Sequence, residues 1–160
     1  MTTNEELRAK LNINHPNVKI ILHCHDSRHL KFTPNEVAHF TLTSPPYYDL
    51  EWYGDEPEQL GKAESYETFL HELGKIAKEN YRVLKCGAYC VWFVNDFRAK
   101  GRFFLYHVDV LNLLTAAGFA PHDIMIVDFG APLGSIFLQT TIERRYLPKR
   151  HEYGLVVRKM

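Results

Sequence analysis

Thr43-Ser44-Pro45-Pro46-Tyr47-Tyr48, "TSPPYY", ends the apolar run "VAHFTL" (37–42). The run is rich in β-branched and aromatic residues, as strands are, and two consecutive prolines stop it. Each proline lacks an N–H and fixes φ at about −65°, so a sheet ladder cannot pass through Pro45 and Pro46, and the chain leaves the strand in a stiff turn. Such a turn aims carbonyl oxygens outward. With no proline N–H to close a local turn, the Ser44 and Pro45 carbonyls are offered as acceptors. Tyr47 sets a flat apolar face with a polar tip beside them. Acceptors beside a stacking face suit a planar amine, while a rigid turn with a packed tyrosine is the alternative these six residues leave open.

Outward from this motif, strand and helix patterns alternate. Upstream, "VKIILH" (18–23) has the continuous apolar look of a buried strand and ends at "CHDSRHL" (24–30). The motif itself closes a second strand, "EVAHFTLT" (36–43). Downstream, "DLEWYGDEPEQLGKAE" (49–64) is polar and carries Gly54, Pro57 and Gly61, which predicts a long loop, a kind that is commonly functional. Ser65 is the natural N-cap of a helix whose apolar residues Tyr66, Phe69, Leu70, Leu73, Ile76, Ala77, Tyr81 and Leu84 recur at helical spacing. At "KCGA" (85–88), Gly87 suits a left-handed turn into a third strand, "AYCVWFVN" (88–95). A basic loop, "DFRAKGR" (96–102), and a second helix, "LYHVDVLNLLTAAG" (105–118), follow. Finally, "DIMIVDF" (123–129) and "YGLVVRK" (153–159) flank a loop containing "GAPLGS" (130–135) and "ERRYLPKRHE" (143–152), and are expected to pair antiparallel. The order predicts an α/β fold whose sheet is mostly parallel with antiparallel terminal strands. Ligands of such sheets bind outside the carboxyl ends of the strands, which puts "TSPPYY" on the functional rim.

Composition narrows the class. The 160 residues, 46% hydrophobic and 24% charged, are one domain's worth (1–160) with a single core and a polar N-terminal extension (1–16). No apolar run reaches the roughly 18 residues of a membrane span, and "MTTNEELRAKLNINHPN" lacks the layout of a secretory signal. A cytoplasmic location away from membranes is the expectation. Cys24, Cys86 and Cys90 form no CxxC pair, so neither a disulfide framework nor a thiolate zinc site is predicted. In "HCHD" (23–26), strand alternation puts His23 and His25 on one face and Cys24 on the other, which argues against a shared metal ion.

A net charge of +0 excludes a chain that grips nucleic acid by bulk electrostatics alone. Charge is local instead. Arg98, Lys100 and Arg102 share one loop at the rim, and residues 142–160 hold Arg144, Arg145, Lys149, Arg150, Arg158 and Lys159 against Glu143 and Glu152. Both patches are read either as phosphate contacts or as solvated basic faces.

From residue 18 to 159 the chain resembles the catalytic half of the DNA amino-methyltransferases that modify cytosine N4 or adenine N6. "TSPPY" (43–47) is similar to that family's fourth motif, and "YETFLHELGKIAKENYRVLKCG" (66–87) to the helix and turn that follow it. "VNDF" (94–97), "AAGF" (116–119) and "RHEYGLVVRK" (150–159) continue the resemblance in order. Cys86 and Ala88 depart from the usual proline and glycine, which touches only a turn.

The resemblance implies a partial Rossmann-like fold and transfer of a methyl group from S-adenosylmethionine to the exocyclic amine of a base flipped out of DNA. That amine is a poor nucleophile because its lone pair is delocalised into the ring. The Ser44 side chain and the Pro45 carbonyl, on a turn made rigid by Pro46, would accept both amine hydrogens and turn the lone pair toward the methyl group. This is catalysis by positioning and preorganised dipoles. Tyr47 would stack on the extruded base, with Tyr48 as a further candidate for the same pocket. Serine in the first position of the motif favours cytosine N4 over adenine N6. Asp26 is implied as an acceptor for the cofactor's adenine amine, or else as a turn cap. Asn95 and Asp96 are implied as cofactor-pocket residues, or else as loop caps. Arg98, Lys100 and Arg102 are the implied contacts to DNA.

The resemblance also predicts a glycine-rich cofactor motif of the type Phe/Pro-x-Gly-x-Gly, and none occurs in these residues; "GAPLGS" follows the wrong strand. In the family's sheet, the two strands around that motif lie between those resembling 18–23 and 36–43. A separate DNA-specificity region is not evident either. Three readings follow: one half of a split enzyme whose partner chain supplies the glycine motif, a compact domain acting alone or as a homodimer that covers its open sheet edge, or a non-catalytic module that binds nucleic acid or a protein partner.

Overall fold

The computed structural model describes residues 19–52, 54, 59–130, 142–147 and 149–160. The 1–16 extension and all of "GAPLGS" beyond Gly130 lie outside them. Strand β1 is Ala38–Thr43, helix α1 Tyr66–Val83, β2 Leu84–Val94, β3 Phe97–Ala99, β4 Arg102–Phe104, α2 Tyr106–Ala116, β5 Phe119–Asp128 and β6 His151–Lys159.

Helix α1 begins as the sequence predicts. The Ser65 hydroxyl accepts from the Thr68 amide at 3.0 Å, satisfying one of the donors that a helix start leaves open. Its buried stripe, Phe69, Leu73, Ile76 and Ala77, follows helical spacing. The expected turn at "KCGA" does not form. Helix gives way to strand at Leu84, and Gly87, at φ +80°, lies inside β2. There the β1–β2 register slips between Ala38↔Leu84 and Phe40↔Tyr89, so the left-handed glycine makes an irregularity in the ladder and not a connection. Helix α2 ends at Gly118, whose φ of +109° and a would-be Cβ only 3.0 Å from the Tyr81 ring both require glycine.

Four strands form one sheet in the order β1-β2-β6-β5. Only β1 and β2 are parallel; β2–β6 and β6–β5 are antiparallel. The described sheet is therefore mixed, which corrects the expectation of a mostly parallel one. The physical reason lies upstream: residues 19–24 form no ladder, and Ile21 and Leu22 are exposed. The expected strand at 18–23 thus adds no parallel partner among the described residues.

The "DFRAKGR" segment, expected to be a loop, is a hairpin. Strands β3 and β4 pair through Ala99↔Arg102, and the two turn residues Lys100 and Gly101 both have positive φ, as a type I′ turn requires. Phe97 and Phe104 stack across it at 4.9 Å.

The core lies on one face of the sheet. Cys90, Trp92 and Val94 of β2 and Leu155 and Val157 of β6 pack with Phe69 and Leu73 of α1 and Tyr106, Val110 and Leu114 of α2. Phe40 and Leu42, which alternate onto the other side of β1, are 54% and 60% exposed. Burial decides the cost of truncation. Leu155→Ala should lower unfolding free energy by about 2–5 kcal/mol, whereas Leu42→Ala should change it by no more than about 0.5 kcal/mol; urea denaturation of the two variants is the check.

Candidate functional site

The proline turn stands at the carboxyl end of β1, whose last ladder pair is Thr43↔Trp92. Ser44 is exposed and Pro45 buried. The Pro46 carbonyl accepts from the Tyr106 hydroxyl at 2.9 Å, and Tyr106 is itself fully buried on α2. This bond uses the carbonyl one residue beyond the Pro45 acceptor named by the sequence. Tyr47 is half-buried, with its ring edge-on to Phe97 at 5.6 Å and tilted to Tyr106 at 5.5 Å. Ser44, Pro45, Pro46 and Tyr47 together line an open cleft of about 470 Å³, closed on its other side by Glu51 and Gln59. Tyr48 does not line this cleft; it packs against Tyr66, Phe69 and Phe104.

Pro46 and Gln59 also line a second groove, with Cys24, His25, Asp26, Ser27, Arg28, Leu60 and Ile76. The two hollows thus share Pro46 and Gln59 in their walls, which puts Asp26 in the groove next to the proline turn. Asp26 is held by Arg28: its Oδ1 accepts from the Arg28 amide at 2.9 Å and from Nε at 3.0 Å, and Oδ2 lies 2.7 Å from Nη2. Its side chain remains 33% exposed. Arg28 continues to Glu72 of α1 at 2.8 Å. Glu79 accepts from the Leu30 amide at 2.7 Å, while Arg82 donates to the Leu30 and Thr33 carbonyls at 3.0 Å each. Helix α1 therefore clamps the segment that carries Asp26.

These bonds favour the charged carboxylates. Hydrogen bonds from Arg28 hold Asp26 below its ordinary range, those from Lys75 and then Arg28 do so for Glu72, and those from Arg82 for Glu79.

Asn95 and Asp96 stand at the carboxyl end of β2, in a different environment from Asp26. The Asn95 amide donates to the His151 carbonyl at 2.8 Å, and its Oδ1 is buried without a partner among the described residues. Asp96 is buried, with Oδ1 2.6 Å from Nδ1 of His107 and 3.2 Å from the His107 amide in the first turn of α2. The His107 ring stacks on Tyr153 at 4.1 Å. Asp96 lines a third hollow with Arg98, Phe103, Arg145, Leu147, Lys149, His151 and Tyr153.

The three cations of the hairpin diverge. Arg98 enters the third hollow, Lys100 pairs with Asp49 at 2.9 Å, and Arg102 lies over the Phe104 ring at 4.8 Å. Sequence reasoning missed Glu51, Gln59, Tyr106 and His107. The first two sit in a polar loop without periodicity, and the others lie on a helix whose apolar pattern reads simply as core.

Among the described residues, no group of three His, Cys, Asp or Glu side chains is placed to hold a metal, and no helix is long and apolar enough to cross a membrane. Cys24 and Cys86 are exposed, while burial pushes the Cys90 thiol up to about 11.

Solved structures share this fold. A Thermus thermophilus protein assigned as a DNA modification methylase is 28% identical with a TM-score of 0.61, over 84% of this chain and 50% of its own. The same protein complexed with S-adenosyl-L-methionine gives 29% identity and a TM-score of 0.59, over 84% and 53%. The cytosine-N4-specific PvuII DNA methyltransferase has a TM-score of 0.65 at 18% identity, a likeness of fold, over 85% of this chain and 48% of its own. The chain has the α/β fold of S-adenosylmethionine-dependent methyltransferases. It spans about half the length of the first of these structures. No protein-family model matches the chain, and comparison with curated proteins gives no match.

Two outcomes follow from the geometry. Tyr106→Phe leaves the Pro46 carbonyl without its donor and should cost about 1–2 kcal/mol in denaturant unfolding. The lowered carboxylate pKa values mean that the clamp's contribution is full above the ordinary carboxylate pKa of about 4 and is lost as pH falls through the lower folded values. The Leu30 amide reports this directly. Its hydrogen-exchange protection should fall on acidification through that window, and Glu79→Gln should show weakened protection already at neutral pH.

Proposed function

We propose that the chain is the acceptor-side half of an S-adenosylmethionine-dependent DNA amino-methyltransferase, with cytosine N4 favoured over adenine N6 as the methylated atom. The observation that carries this reading is the cleft lined by Ser44, Pro45, Pro46 and Tyr47 where the prolines end β1. The Pro46 and Gln59 wall it shares with the groove of Asp26, and the likeness to a DNA modification methylase, support it.

In this reading the exposed Ser44 hydroxyl and the Pro45 carbonyl accept the two hydrogens of the target amine. The turn is already rigid before substrate arrives, so little reorganisation accompanies the reaction. Tyr47, braced by Phe97 and Tyr106, offers its ring to the extruded base and offsets part of an unstacking cost of a few kcal/mol. Tyr48 acts from behind, as packing that holds the turn against α1. S-adenosylmethionine, when bound, would supply the electrophilic methyl group from its sulfonium and leave as the neutral thioether, while the substrate nitrogen gives up one proton to water.

The residues present fit one side of that cofactor. The groove beside Pro46 has an apolar wall in Leu60 and Ile76 and a carboxylate, Asp26, with an accessible edge. Asp26 is the proposed acceptor for the cofactor's adenine amine. Asn95, with its unpartnered Oδ1, and Asp96 are further contacts at the end of β2. Of the hairpin cations Arg98 is the proposed contact to DNA, since Lys100 pairs with Asp49 and Arg102 lies over the Phe104 ring.

A partner chain, or a second copy of this one, completes the cofactor site. The unpaired edge of β1 among the described strands and the exposed Phe40 and Leu42 beside it support this. One observation favours the non-catalytic reading: both Asp26 oxygens are already bonded by Arg28.

Labelled-methyl transfer to duplex DNA by the competent assembly separates the two. Ser44→Ala should lower kcat by roughly 10²–10³-fold, the scale of removing one positioned hydrogen-bonding group, with little change in cofactor affinity. Full transfer by that variant overturns the role of Ser44, and no transfer by any assembly favours the binding module. Tight calorimetric binding of S-adenosylmethionine by the monomer would sink the half-site.

A further inference from the structure

The third hollow, about 540 Å³, joins two segments far apart in sequence: the β3–β4 hairpin, and residues 145–153 leading into β6. Three cationic side chains line it: Arg98 from the first segment, and Arg145 and Lys149 from the second. The guanidinium of Arg98 lies between two rings, 4.6 Å from the Phe103 centroid and 4.1 Å from that of Tyr146. Such a sandwich fixes the plane of the guanidinium and so orients its fork of donors. The Lys149 ammonium sits 4.9 Å from the other flank of this cluster, the Phe103 ring, and donates to the backbone carbonyl of Asp96.

The charge here is not internally neutralised. Ion pairs among the described residues engage Arg28, Lys75, Arg82, Lys100, Arg150 and Lys159, and none involves Arg98, Arg145 or Lys149. The single carboxylate lining the hollow, Asp96, turns its Oδ1 to His107. Three cations beside one already engaged carboxylate favour an anion in this hollow. Phe97 connects it to the proline turn: it precedes Arg98 in the hairpin, and its ring touches Tyr47.

We propose that this hollow is an oxyanion subsite that grips a backbone phosphodiester of the nucleic acid next to the nucleotide held at Ser44 and Tyr47. Arg98 supplies a planar, pre-oriented fork, Arg145 a second fork from the opposite wall, and Lys149 a point charge. Grips of this kind set the register of the strand and carry no base sequence. The inference rests on the reading of the substrate as DNA, and it assigns Arg145 and Lys149 to the same phosphate as Arg98.

The test is fluorescence anisotropy of a labelled duplex oligonucleotide with the full chain across a salt series. Arg145→Gln should weaken binding by about 3- to 10-fold at low salt and reduce the slope of log affinity against log salt by about one, equally on unrelated sequences. Arg98→Gln should do the same. Arg145→Lys should restore the slope, and Lys78→Gln, on the exposed side of α1, should change nothing. Arg145 is exposed, so its variants test the site without disturbing the core. An Arg98→Gln/Arg145→Gln double variant with wild-type affinity and slope overturns the proposal, as does a wild-type chain that binds inorganic phosphate but no oligonucleotide. Failure of the methyl-transfer reading is distinguishable, because Ser44→Ala acts on transfer and leaves the salt slope unchanged.

Discussion

The hydrogen bond from the Tyr106 hydroxyl to the Pro46 carbonyl organises the rim of this molecule. It joins the turn leaving β1 to the first residue of α2, beside the ring contact of Tyr47 with Tyr106. Tyr106 is fully buried and packs its ring on Phe69 and Phe97, so the donor cannot relocate. The proline pair removes local alternatives, since neither Pro45 nor Pro46 has an N–H with which to re-form a turn. A stiff turn and an immovable donor together hold Ser44 and Tyr47 in the wall of the cleft, with Phe97 of the hairpin packed against Tyr47.

That constraint separates the rim into hollows of different chemistry. On one side, an apolar wall and the carboxylate of Asp26 are held in place by ion pairs to α1. On the other, cations gather around Phe103. The acceptors of the proline turn lie between them. An apolar groove with a carboxylate, the cleft of the proline turn and a cation-lined hollow are thus separate environments.

Much of the fold was legible locally. The Ser65 cap, the apolar stripe of α1 and the positive φ at Gly118 depend on interactions within a few residues or on simple periodicity. The errors arose where a residue's local preference had two structural uses. Gly87 promised a turn and instead serves an irregularity within β2, because only the parallel pairing with β1 reveals the extra residues. Lys100-Gly101 lay in a stretch that looked like a basic loop, yet the hairpin forms because Phe97 and Phe104 find each other across it. The run at 18–23 looked like a strand by composition, but a strand exists only with a neighbour, and none stands beside it among the described residues.

The sequence by itself determined that the strand ending at Thr43 must stop at two prolines and present acceptors beside a tyrosine, because missing N–H groups and a fixed φ are properties of the covalent chain. It also determined which side chains carry charge. Tertiary structure alone decided how those side chains are used: Arg98 with Arg145 and Lys149, Lys100 with Asp49, Asp26 with Arg28, and the Pro46 carbonyl with Tyr106. Partners separated by tens of residues meet only when sheet order and hairpin geometry bring them together, and no local propensity encodes that meeting.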